Sequence, residues 1–111
     1  MAYDRELADR IRELVAGVPS LTERKMFGGL AFLVGGNMAV AASGQGGLLV
    51  RVSPDESDAL VAGSEARPME LRGRAMRGWL RVGARHVTTR EALSTWVDRG
   101  VAFARSLPAK T

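Results

Sequence analysis

From Met26 to Val50 the chain carries no charged residue, and the interval is cut by Gly28-Gly29, Gly35-Gly36, Gly44 and Gly46-Gly47. An uncharged run of that length is either a helix crossing a membrane or a set of buried strands, and the glycines decide between them. Paired glycines adopt positive φ without strain and weaken a helix, so their recurrence marks chain reversals. The pieces left between them, Leu30–Val34, Met38–Ala42 and Leu48–Val52, have strand length. They are apolar on both faces, as suits strands that are central or covered twice. The interval reads as an antiparallel meander, and no membrane span is expected.

Just upstream, Thr22-Glu23-Arg24-Lys25-Met26-Phe27 has the polar half typical of an edge strand and ends at Gly28-Gly29. In this reading Arg24 and Lys25 mark the solvent side, Met26 and Phe27 anchor the strand to the core, and the glycines allow a bend with close packing. The stretch is a structural joint, with no reaction centre within it.

Helices flank the meander. Leu7, Ile11, Leu14, Val15 and Val18 form a helical stripe, with Glu6 and Arg10 spaced for a surface pair, predicting a helix near Asp4–Ala16. Ser53-Pro54-Asp55-Glu56 is a helix start that should run to about Gly63, and Thr88-Thr89-Arg90-Glu91 is a second capping box. The second box opens a stripe of Leu93, Trp96, Val97, Val101, Ala104 and Leu107 that stops before Pro108. Between these two helices, Pro68–Leu71 reads as an extended edge piece and Trp79–Val82 as the last strand, with Arg74–Arg77 set apart between Gly73 and Gly78. The expected fold is α+β in two layers, an antiparallel sheet with helices on one face, in the order helix, strands, helix, strands, helix. At 111 residues the chain is expected to be one domain, 1–111.

Most catalytic chemistry is excluded by inventory. There is no cysteine and only one histidine, His86. Thiol catalysis, thiolate metal sites and disulfides are therefore out of reach. Ser43 lacks the first glycine of a nucleophile elbow, and no glycine cluster has the spacing of a phosphate loop opening a helix. Asp55, Glu56 and Asp58 crowd a helix start, where they complement the dipole. No catalytic residue, metal or cofactor is expected, and the chain is read as non-enzymatic. The charged first residues and the lack of cysteine suit a cytoplasmic protein.

Net charge is +4, and it is unevenly spread. Between Arg67 and Arg90 stand seven arginines and the single acid Glu70, a local +6, so the rest of the chain sums to about −2. Arg72, Arg74, Arg77, Arg81 and Arg85, with Trp79 among them, are the candidate polyanion contact, able to neutralise phosphates and stack on a base. The simpler reading is favoured: solvated charges that discourage edge-to-edge pairing, with Trp79 in the core.

Arg24-Lys25-Met26-Phe27-Gly28-Gly29, the following Gly36-Asn37-Met38, the Leu48–Val52 strand, Arg74-x-Met76-x-Gly78 and the closing Ala102–Pro108 segment together resemble the TfoX/Sxy family, in particular its N-terminal domain. The resemblance spans nearly the whole chain. It implies a two-layer α+β fold like that of secretion chaperones, which agrees with the residue-level reading. It also implies kinship with regulators of competence genes that act with a cyclic-AMP-responsive activator and carry a second, helical domain. This chain ends at Thr111 and has Leu30-Ala31 where many of those regulators have a further glycine. The resemblance supplies no catalytic residue. The expected role is thus an interaction module of stand-alone N-terminal type, with a transcription regulator or a second copy as partner. Nucleic-acid binding through the arginines and small-ligand binding are the alternatives.

Overall fold

The computed structural model describes residues 3–26 and 28–109. The chain opens with α1 (Arg5–Leu14), then lays down β1 (Leu21–Met26), β2 (Gly29–Val34), β3 (Asn37–Ala42) and β4 (Leu48–Arg51). It continues through α2 (Pro54–Gly63), β5 (Arg67–Leu71), β6 (Arg74–Val82), a 3-10 turn at Ala84–His86, and α3 (Arg90–Ser106). The strands form one antiparallel sheet in the order β1-β2-β3-β4-β6-β5. The expected antiparallel meander is present, and it has four strands. After α2 the chain skips one position, builds the outer strand β5 and then fills the gap with β6, so the edges are β1 and β5.

Glycine sets the tightest of these turns. Val34 pairs with Asn37 across Gly35 and Gly36, whose φ values are +60° and +84°. Positive φ at both central residues is the turn whose twist matches a right-handed hairpin. Asn37 therefore begins β3 and is not part of the reversal, and its side-chain amide donates to the Pro108 carbonyl at 2.9 Å.

The principal core lies between the sheet and the helices. Leu7, Ile11 and Val15 at the amino-terminal helix and Leu93, Trp96 and Val97 of α3 pack on Leu30, Phe32, Val40, Leu48, Val50 and Leu80, with Leu60 and Val61 of α2 at its border. All three α-helices thus back one face, as the binary pattern implied. A bulge in the β2–β3 ladder brings Ala39 and Val40 together under α3, where a β-carbon at Gly100 would meet the Ala39 backbone and the Val40 side chain.

The structure corrects several local expectations. Arg74–Val82 is one nine-residue strand: Gly78, at φ +87°, does not end it but sits in a bulge where Pro68 pairs with Leu80 and Met69 with Met76. Arg10 does not pair with Glu6; its guanidinium donates to the Thr88 carbonyl at 3.1 Å, tying the amino-terminal helix to the start of α3. Ser53 caps α2 by position, without a side-chain hydrogen bond. Thr89, not Thr88, caps α3, accepting from the Ala92 N–H at 3.1 Å.

Candidate functional site

Alternation along each strand sends every second side chain to the face away from the helices. Each strand contributes there: Met26 from β1, Ala31 and Leu33 from β2, Met38 and Ala41 from β3, Leu49 from β4, Met69 from β5 and Trp79 from β6. No helix residue belongs to this second cluster. Met26 and Met69 come from the two edge strands yet line one cavity of about 210 Å³, together with Met38, Leu49, Glu70 and Arg81. The sheet is therefore curled, with its edges flanking a shared apolar hollow. Three methionines give it soft walls, because an unbranched thioether repacks around whatever it meets. Arg51 closes one side of the cluster, its guanidinium carbon 4.9 Å from the Trp79 ring centroid and 5.5 Å from that of Phe103.

Of the joint residues Arg24, Met26, Phe27, Gly28 and Gly29, Met26 and Gly29 line this hollow. Arg24 and Lys25 are exposed and Met26 is half-buried against the apolar cluster, while Phe27 lies outside the described residues. Gly29 is buried beside the Ala42 carbonyl, and Gly44 lies against Gly28, so the β1–β2 and β3–β4 connections touch backbone to backbone. A side chain at either contact would push the two connections apart.

The arginine run is not one surface. Arg72 sits in the β5–β6 turn at φ +54°, followed by Gly73 at +78°. Arg74 begins β6, and Arg77 turns toward α2, donating to the Pro54 carbonyl at 3.1 Å. Arg81 is half-buried and donates to Ser43 Oγ at 3.0 Å. Arg85, in the 3-10 turn, donates from Nε to His86 Nε2 at 3.3 Å. Arg74 and Arg81 pair with Leu71 and Arg67, four residues apart on β5, which separates them by roughly 13 Å along the ladder. Trp79 stands among these arginines in sequence, but its ring packs in the methionine cluster under Arg51.

Reading the sequence missed Arg67 and Met69. Arg67 is the cross-strand partner of Arg81, a pairing set by the β5–β6 register. Both arginines line a second, open cleft of about 530 Å³ with Arg85 and His86. The alternation that could have flagged Met69 is masked by Pro68 and by the bulge beside it. Among the described residues no group of three His, Cys, Asp or Glu side chains is placed to hold a metal ion, and no helix is long and apolar enough to cross a membrane.

These elements define a two-layer α+β domain, a curled antiparallel sheet backed by helices and open on its other face. Residues 13–104 match the model of the TfoX N-terminal domain, and the chain belongs to that family. No curated protein and no solved structure matches it.

Proposed function

We propose that this chain is a non-enzymatic protein-interaction module of the TfoX N-terminal type, which holds an apolar side chain of a regulatory protein in the hollow of its open sheet face. The observation that carries this reading is the convergence of Met26, Met38 and Met69 from three strands on one cavity with no helix over it. Methionine-lined surfaces accommodate partners by repacking, and exposed apolar hollows flanked by charge mark docking sites. The occupant should carry carboxylates beside its apolar anchor, because Arg81 in the cavity lining and Arg51 beside the cluster outnumber Glu70, the carboxylate of that lining, and the chain carries a net +4.

Methyl resonances of the methionines test this directly, titrated with two amphipathic peptides that share an apolar anchor and differ in acidic or basic flanks. Saturable shifts at Met26, Met38 and Met69 with the acidic peptide, abolished by Met69→Glu, are expected. Methyls that stay unperturbed by both peptides would refute the assignment. A dimer mass in light scattering, with these methyls insensitive to dilution, would instead move the function to self-pairing at the β1 edge.

A further inference from the structure

We propose that the cleft between the start of β5 and the end of β6 is an anion site that takes the phosphoryl group of a small phosphorylated molecule. The strand register sets Arg67 directly opposite Arg81. Like charges facing each other across an antiparallel ladder oppose pairing. Neither has a carboxylate partner, since the ion pairs among the described residues are those of Arg12 with Asp9 and Glu23. The next turn of chain adds Arg85 and His86 to the same cleft of about 530 Å³. Three guanidinium groups thus share one concavity whose internal repulsion a bound anion would relieve.

The donors are partly preorganised. Arg81 is held by Ser43 Oγ, which also accepts from the Gln45 N–H at 3.1 Å, and Ser43 is itself buried. That bond uses one of the five guanidinium N–H donors, and Arg81 makes no other side-chain hydrogen bond among the described residues. His86 Nε2 accepts from Arg85 Nε at 3.3 Å, which holds the two side chains side by side on the cleft wall. A planar fork beside further arginines is the arrangement that suits tetrahedral phosphate oxygens. Among the described residues no Phe, Tyr or Trp lines the cleft, so charge rather than a broad stacking platform dominates it, and Arg72, Arg74 and Arg77 lie outside it. Among the described residues Glu65 is the one carboxylate in the lining, and it opposes the bound charge.

The test is a titration of the full chain with pyrophosphate and, separately, with a single-stranded oligonucleotide, following backbone amide shifts. Pyrophosphate should give saturable shifts across residues 64–67 and 81–86. Arg67→Ala and Arg85→Ala should each weaken it by about tenfold, the size of a lost charged hydrogen bond. Glu65→Gln should tighten it by about threefold, as expected for removing one exposed repulsion. Both arginines are exposed, so their variants should remain folded. Without anion, Arg67→Ala should melt no lower than the parent, and a given pyrophosphate concentration should raise the melting temperature of the parent more than that of Arg67→Ala. Shifts that do not saturate, or a Glu65→Gln variant that binds no tighter, would overturn the site. Oligonucleotide binding centred on Arg74 and Arg77 would overturn it in favour of a polymer ligand.

Discussion

Gly44 lies so close to Gly28 that a β-carbon built on it would stand 2.6 Å from the Gly28 carbonyl oxygen. Gly29 makes the matching approach to the Ala42 carbonyl. The glycine pair of the family motif is therefore one half of a backbone contact whose other half lies in the β3–β4 connection. Gly28 is at φ +78°, but Gly29 and Gly44 are not at positive φ, so at those two positions the constraint is space alone. Gly29→Ala and Gly44→Ala should each lower stability by about 1–3 kcal/mol through overpacking. Gly17→Ala, with no heavy atom within 4 Å of the added carbon, should change it by less than about 0.5 kcal/mol. Urea denaturation of the three variants checks this, and a neutral Gly29→Ala would refute the contact.

Gly100 repeats the device between layers. Its position in α3 faces the bulged backbone at Ala39, and an added β-carbon would come within 2.8 Å of Val40 Cγ1. Gly100→Ala raises helix propensity by about 1 kcal/mol, so an exposed site would gain from it. Here the crowding should win, and the variant should melt below the parent with weakened protection of β3 amides in hydrogen exchange.

Arg72 occupies a left-handed turn position, one that asparagine and glycine fill at lower cost. It is exposed and makes no side-chain hydrogen bond among the described residues. Arg72→Asn should therefore stabilise the β5–β6 hairpin by about 0.5–1 kcal/mol. Thermal unfolding of this single variant is a sufficient test, and pyrophosphate affinity should stay unchanged because Arg72 is outside the cleft.

Arg12 grips Glu23 through two hydrogen bonds, at 2.7 and 2.8 Å, joining the amino-terminal helix to the β1 edge. Those bonds hold the Glu23 carboxyl below its ordinary value of 4.5, against a smaller opposing effect of desolvation. The unfolded chain thus takes up the proton first as pH falls. The stabilisation is complete above pH 4.5 and disappears as pH drops through the lowered folded value. The pair is solvated, with side chains 46% and 34% exposed, so its contribution is small and sensitive to salt. The stability gap between the parent and Glu23→Gln should be constant near neutral pH and close below pH 4.5. A gap that persists unchanged into acid would show that the ion pair is not its source.

The strands were legible because two signals coincide in them: glycine pairs that permit reversal, and apolar pieces of strand length between them. The first and last helices were legible from their stripes and α2 from its Ser53-Pro54 start, with Thr89 displacing Thr88 as the cap of α3 because both residues offer the same hydroxyl. The strand Arg74–Val82 was harder, since Gly78 resembles a terminator until a partner strand supplies the bulge that accommodates it. The arginines suffered most. Sequence proximity grouped Arg72 through Arg85, whereas the turn, the bulge and the contacts to Pro54 and Ser43 distribute them over separate surfaces.

Local chemistry by itself determined the element order, the helix-backed face and the membership of Gly28-Gly29 in a structural joint, because periodicity and turn propensity act over a few residues. Tertiary structure decided that Met26, Met38 and Met69 share one hollow and that Arg67 faces Arg81. Both are consequences of strand order and register, which arise from burying one continuous core between distant segments. A strand's own residues specify which side chains share a face, but only its neighbours specify what they face.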